Sequence, residues 1–119
     1  MKKYCMINEL KEENVKDYVD IHKNAHLTGW KTQLEALKAA GAENCIVYLY
    51  KNLSILIYEC EDIEESFSRL GKIEANIKWQ TTVAPWFKGT PKFDGTQKVQ
   101  SLEKIFDLNQ QLQGKLEEF

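Results

Sequence analysis

Apolar positions along the chain recur with two different periods, and segments of the two kinds alternate. Runs rich in β-branched and aromatic residues predict strands at positions 2–10, 43–50, 53–60 and 101–108. Apolar residues spaced three or four positions apart predict helices at positions 12–27, 30–40, 62–71 and 74–86. The first strand carries apolar residues on both sides, which is typical of a strand buried on both faces.

Local signals mark the ends of several of these elements. The pair at 51–52 is short enough to join two strands into an antiparallel hairpin. Asp62, with Glu65 three residues later, has the pattern of a capping box and predicts a helix start. Gly41 lies where a helix C-cap is expected, and the glycines and prolines of 88–98 predict a loop.

The order strand, helix, strand, strand, helix, strand predicts an α+β fold of the ferredoxin-like (split βαβ) type. Residues 1–108 would form this domain, and 109–119 a polar C-terminal tail or a short exposed helix. With helices on one face of the sheet, the other face would be bare, and its apolar side chains favour a homodimer. The side chains assigned to that face are Tyr4, Met6, Ile46, Tyr48, Ile55 and Ile57.

Composition narrows the classes of partner. Of the 119 residues, 43% are apolar and 29% are charged, which is typical of a globular protein. The net charge is −2, so the sequence lacks the excess of basic residues that a nucleic-acid-binding surface needs. No apolar run approaches the ~20 residues that a membrane span needs, and the N-terminus does not resemble a signal peptide. We therefore expect a cytoplasmic protein that binds neither nucleic acid nor membrane.

The three cysteines, Cys5, Cys45 and Cys60, lie far apart in apolar strand-like runs. This setting predicts reduced, inert thiols that pack as small hydrophobes, and burial should raise the pKa of Cys45. Metal ligands clustered at short spacing are lacking, so no metal is expected.

The best candidate for chemistry is the segment 18–26. If it is helical, Tyr18, His22 and His26 share one face, because they are four residues apart. An imidazole exchanges protons near neutral pH, and a phenol one turn away could hold a hydroxylated ligand beside it. The alternative is a pair of solvated histidines on a helix that ends near Gly29.

Aromatic residues elsewhere are candidates for the wall of a pocket, because an aromatic face stacks on the apolar face of a sugar ring. The alternative for each is ordinary core packing. The candidates are Trp30, Tyr48, Trp79 and Trp86.

Several of these segments together resemble the L-rhamnose mutarotase family, over about positions 3–108. The Tyr18-x-x-x-His22 pair within 11–22 and the following Trp30 are part of the resemblance. So are the stretches 34–49, 52–59, Lys78-Trp79-Gln80 and 102–106. The resemblance implies a dimeric α/β barrel of ferredoxin-like subunits that interconverts the α and β anomers of a deoxysugar such as L-rhamnose, without cofactor or metal.

The resemblance also implies site residues. His22 would be the catalytic proton donor, and Tyr18, Cys45, Trp79 and Gln80 would occupy sugar-binding positions. This chain has about one extra helical turn before Trp30; if the gap is placed earlier, His26 takes the catalytic alignment instead, but the match from Lys11 onward favours His22. The family often has a tyrosine where this chain has Cys45, and a second tryptophan where it has Gln80. These departures motivate an alternative, a catalytically inactive sugar-binding module of the same dimeric type. A weaker alternative is an oxidative enzyme in a similar barrel.

Overall fold

The computed structural model describes residues 2–114, and its centre is a three-stranded antiparallel sheet. The strands are β1 (Lys2–Glu9), β2 (Asn44–Tyr50) and β3 (Leu53–Cys60), in the order β1-β3-β2. The helices are α1 (Val15–Lys23), α2 (Lys31–Ala39), α3 (Ile63–Leu70), α4 (Glu74–Val83) and α5 (Leu108–Gln113). Over residues 2–114, no helix has both the length and the apolar character that a bilayer span requires.

The order and direction of the three strands agree with the predicted split βαβ arrangement, although its fourth strand, predicted at 101–108, is absent. Strands β1 and β2 are joined through α1 and α2, and β3 lies between them, antiparallel to both. The hairpin between β2 and β3 turns at Lys51, whose φ of 55° is positive, as a tight turn requires. The predicted cap is confirmed as well: the Asp62 side chain accepts a hydrogen bond from the Glu65 amide at 3.1 Å.

The register divides the sheet into two faces. In cross-strand pairing, Met6 lies opposite Leu56, and Leu56 opposite Val47, so these three side chains share the face that packs on the helices. The outer face carries alternate positions, among them Cys5, Ile7, Ile46, Tyr48, Ile55 and Ile57.

Two expectations about this sheet were wrong. Strand β1 is not buried on both faces, since Met6 is 3% exposed but its neighbour Ile7 is 44% exposed. Tyr4 and Met6 also do not belong to the bare face, because they pack in the core beneath the helices. The error has one cause: consecutive strand residues point to opposite faces, so an apolar run does not mean two buried faces.

The predicted helix 12–27 is interrupted. Residues Glu12–Asn14 form a 3-10 turn, α1 ends at Lys23, and Ala25–Leu27 form a second 3-10 turn. Asn24 marks the break, because its side chain donates to the carbonyl of Asp20 and competes with the helical hydrogen bonds. The helix predicted at 74–86 is likewise α4 followed by a 3-10 turn at Ala84–Trp86, which contains Pro85.

The predicted closing strand at 101–108 is absent. The Leu102 amide donates to the carbonyl of Cys5 at 2.7 Å, on the free edge of β1, but no ladder follows. Ile105 and Phe106 are 82% and 64% exposed, so within one chain the segment finds no surface on which to bury an alternating face. α5 begins at Leu108, the last residue of the predicted strand, and is capped by Asp107. It continues into the predicted tail, of which positions 115–119 lie outside the described residues.

The predicted loop 88–98 is confirmed, and it is packed tightly against α3. A Cβ on Gly71 would lie 2.0 Å from the backbone oxygen of Asp94, and one on Gly95 would lie 2.6 Å from the Cα of Ser68. Phe93, which directly precedes Asp94, packs edge-on against Phe67 with ring centroids 5.7 Å apart. The two glycines therefore let the loop approach α3 closely enough to extend the core.

Candidate active site

A cavity of about 400 Å³ lies between the helix-facing side of the sheet and the helices α1, α2 and α4. Its size falls in the range of small-molecule sites, roughly 300–1,000 Å³. Most of its wall is apolar, with polar groups at a few points. Its titratable, polar and aromatic lining includes Tyr18, His22, Gln33, Cys45, Ser54, Asn76, Trp79 and Gln80.

The Tyr18 side chain is anchored to the sheet at the base of the cavity. Its side chain is 7% exposed, and its hydroxyl forms a hydrogen bond of 2.7 Å with Oγ of Ser54 on β3. Burial raises the pKa of the Tyr18 phenol, although the bond to Ser54 opposes the rise. The phenol is therefore protonated at neutral pH and can both donate and accept a hydrogen bond.

His22 lies one turn later on α1 and has a defined tautomer. Its Nδ1 is 2.7 Å from the carbonyl oxygen of Tyr18. Because a carbonyl only accepts, Nδ1 carries the hydrogen, and in the neutral ring Nε2 is the basic nitrogen. Burial lowers the pKa of His22, and the bond to the Tyr18 carbonyl partly opposes this. The ring is therefore neutral at pH 7, with a base available at Nε2.

Neighbouring rings fix the plane of the imidazole. The centroid of the His22 ring is 4.2 Å from that of Tyr18 and 5.1 Å from that of Trp79. Trp30 contacts Trp79 edge-on at 5.2 Å, and Phe87 contacts Tyr18 edge-on at 5.6 Å. The five rings form one continuous row, so His22 cannot turn without displacing a neighbour.

The structure brings all five sequence-predicted binding and catalytic residues to this cavity. Trp79 and Gln80 line it from α4, and Cys45 from β2. Burial raises the pKa of the Cys45 thiol to about 11, in the direction that its apolar run predicted.

Other candidates lie elsewhere. His26 is exposed on the second 3-10 turn, because the break at Asn24 takes it off the face of Tyr18 and His22. Tyr48 is 58% exposed on the outer face of the sheet, so it does not line this cavity. Trp30 does not line the cavity but contacts Trp79, which does. Trp86 does not line it either and packs against the core cluster of Leu10 and Phe87.

Sequence reasoning missed several polar residues of the cavity, among them Ser54, Gln33 and Asn76. Ser54 was part of an apolar strand and gave no sign of facing a phenol. Gln33 and Asn76 bond to each other across 43 positions, Nε2 to Oδ1, at 2.9 Å. A signal did exist: Gln33 follows Trp30 by three residues and Asn76 precedes Trp79 by three, so each shares a helix face with a candidate ring.

The cavity carries little charge. Lys23 is the one charged residue among those described that line it, and it is exposed at the rim. Within residues 2–114, no group of three or more His, Cys, Asp or Glu side chains could hold a metal ion. A neutral, hydroxyl-rich ligand suits such a lining, because its polar groups are phenol, hydroxyl, amide and imidazole.

Comparison with known proteins agrees with this picture. A crystal structure of the L-rhamnose mutarotase of Formosa agariphila has the same fold, with a TM-score of 0.64. The alignment covers 90% of this chain and 98% of that one, at 17% identity. No curated protein matches the sequence. The model of the L-rhamnose mutarotase family matches residues 3–108. The chain therefore belongs to the L-rhamnose mutarotase family, whose members are isomerases that act on carbohydrates.

Proposed function

We propose that this protein interconverts the α and β anomers of a deoxysugar such as L-rhamnose, without a cofactor, by acid–base opening of the sugar ring. The observation that carries the proposal is the position of His22, a neutral imidazole of fixed tautomer held between Tyr18 and Trp79 in a cavity of sugar size. Family membership supports the same reaction class.

The reaction needs one proton removed and one supplied. Nε2 of neutral His22 takes the proton of the anomeric hydroxyl, the C1–O1 bond becomes a carbonyl, and the bond from C1 to the ring oxygen breaks. The ring oxygen receives a proton, which the imidazolium can return once the sugar is open. Rotation about C1–C2 and closure in the reverse sense give the other anomer. A base of this kind contributes about 10²–10⁴ in rate.

The rest of the cavity would hold the sugar. Trp79 supplies an aromatic face for the apolar side of the ring, and Tyr18 and Gln80 supply hydrogen-bonding groups. Cys45, with its neutral thiol, adds to an apolar wall with Val47 and Leu56. Such a wall favours a methyl group over a hydroxymethyl group, because a buried hydroxyl without a partner is costly.

The test is anomer exchange in the wild-type protein. Saturation-transfer NMR on L-rhamnose, L-fucose and non-deoxy hexoses, with and without protein, measures exchange directly, and titration of the same sugars measures binding. We expect exchange to be faster with protein for a deoxysugar than for the corresponding hexose. Binding without accelerated exchange would support the alternative, an inactive sugar-binding module. That alternative is motivated by Cys45 and Gln80, which stand where the family often has rings.

We further propose that the protein acts as a cytoplasmic homodimer, in which two outer sheet faces complete a dimeric α/β barrel. The support is the exposed apolar surface: Tyr48 and Tyr50 are 58% and 60% exposed on the outer face of β2. Ile105 and Phe106, in the segment 102–112, are also exposed apolar side chains. A second copy of the chain would bury these exposed apolar side chains in a dimer interface.

A further inference from the structure

Gln33 and Asn76 form a buried polar pair in the cavity wall. Each lies one helical turn from a tryptophan, Gln33 after Trp30 on α2 and Asn76 before Trp79 on α4. Both side chains are buried, at 4% and 1% exposure, and both line the cavity. Nε2 of Gln33 donates to Oδ1 of Asn76 at 2.9 Å. Oε1 of Gln33 is buried and has no hydrogen-bond partner among the described residues. A buried carbonyl oxygen without a donor is destabilising, because it has lost its hydrogen bonds to water and gained none in the protein.

The surrounding backbone fixes which end of each amide is the donor. Nδ2 of Asn76 lies 3.1 Å from the carbonyl of Leu70 and 3.4 Å from that of Phe93, and carbonyls only accept. Asn76 must therefore present its NH₂ to the backbone and its Oδ1 to Gln33. Gln33 must in turn present its NH₂ to Asn76. Oε1 of Gln33 therefore remains without a donor. Turning either side-chain amide by 180° would break the bonds to the backbone carbonyls or the bond between Gln33 and Asn76.

We propose that Gln33 determines specificity in this site, because its Oε1 accepts a hydrogen bond from one hydroxyl of the bound sugar. This inference rests on the proposed function and adds a residue and a direction of hydrogen bonding to it. The carbonyls of Leu70 and Phe93 hold Asn76, Asn76 holds Gln33, and Gln33 offers the ligand an acceptor of fixed position. A ligand with only an acceptor at that point, such as a keto or O-methyl group, would be rejected.

The experiment compares wild type with Gln33→Met, which keeps the length of the side chain and removes both polar ends. The probes are the sugar that wild type exchanges fastest and the set of its monodeoxy and mono-O-methyl analogues. Gln111→Met on α5 is the matched control, because Gln111 is exposed and lies outside the cavity. KM, kcat and Kd are measured for each pair.

We expect a single hydroxyl position at which the analogues bind wild type about tenfold more weakly, which is the scale of one neutral hydrogen bond. Gln33→Met should bind the parent sugar about tenfold more weakly and should not distinguish it from those analogues. KM should carry the effect rather than kcat. Gln111→Met should behave as wild type. A Gln33→Met protein that weakens all sugars equally, or that keeps wild-type selectivity, overturns the inference.

Wild-type protein gives a second readout if Gln33→Met does not fold. The ¹³Cδ resonance of Gln33 should shift when the parent sugar binds and should shift less with the selective analogue, because the carbonyl is a hydrogen-bond acceptor only in the first complex. No shift at saturation overturns the inference. A wild-type protein that neither binds nor exchanges any sugar in the set contradicts the proposed function instead, so the two failures are distinguishable.

Discussion

Nδ1 of His22 donates to the carbonyl of Tyr18 at 2.7 Å, so one turn of α1 sets both the tautomer of the base and the position of the phenol beside it. The break at Asn24 comes directly afterwards and leaves His26 in solvent. Helix α1 and the 3-10 turn that follows it thus carry two histidines of opposite character, His22 packed in a row of rings and His26 exposed.

The first prediction concerns pH. Burial lowers the pKa of His22 below its ordinary value of 6.5, and the neutral ring is the base. The kcat/KM for anomer exchange should therefore be flat near pH 7 and should fall as the pH drops through the lowered pKa. The fall should approach about tenfold per pH unit, because one proton is involved. A pH profile measured from 5 to 8 checks this, and a decline that begins above pH 6.5 would contradict it.

A second prediction separates binding from stability at Tyr18. Tyr18→Phe removes the buried bond to Ser54 and should lower the free energy of unfolding by about 1 kcal/mol. It should also raise KM for the sugar about tenfold. Tyr58→Phe is the matched control: the Tyr58 ring also lines the cavity, but its hydroxyl is bonded to Ser66 of α3 at 2.6 Å and is not assigned to the sugar. Its stability loss should be similar and its KM change much smaller. Equal KM changes in the two variants would argue against a sugar contact at Tyr18.

The loop contact at Gly71 gives a third prediction. Gly71→Ala places a Cβ 2.0 Å from the backbone oxygen of Asp94, so the loop must move away from α3. We expect a loss of about 1–3 kcal/mol in the free energy of unfolding, measured in urea. Gly29→Ala is the control, since nothing lies within 4 Å of its added Cβ. Its effect should stay within about 0.5 kcal/mol. Equal midpoints for the two variants would show that the loop does not pack as described.

The fourth prediction tests the dimer. Tyr48→Lys puts a charge on the outer face of the sheet, where a second copy would bury it, and should shift the protein to monomer in sedimentation velocity. Leu27→Lys makes a comparable change at a residue that is 74% exposed away from the sheet, and it should leave the assembly unchanged. A Tyr48→Lys protein that stays dimeric would place the interface elsewhere.

Sequence predicted best what depends on neighbours in the chain. The hairpin at 51–52 and the cap at Asp62 follow from a few adjacent residues, and both are correct. The closing strand failed because a strand needs a distant partner, and the alternation at 101–108 says nothing about which surface it will meet. The face of Met6 was assigned wrongly for a related reason, since burial along β1 depends on what covers each side.

The residues of the site also differ in whether local sequence could reveal them. Tyr18, His22, Trp79, Gln80 and Cys45 were found because helical spacing and family resemblance mark them. Gln33 was missed because a glutamine in a polar helix is usually solvated, and its burial depends on Asn76 in another helix. Polar networks that span the fold leave little trace in local sequence, although a shared face with a tryptophan is a usable sign.

The central claim is that His22 is the acid–base group, and His22→Ala with His26→Ala as control tests it most directly. The two residues are the only histidines of the chain, four positions apart, and His26 is exposed. Circular dichroism establishes that both variants are folded, and saturation-transfer NMR measures anomer exchange. We predict a loss of about 10²–10⁴ in rate for His22→Ala and a wild-type rate for His26→Ala. Folded His22→Ala protein that exchanges anomers at the wild-type rate would contradict the account.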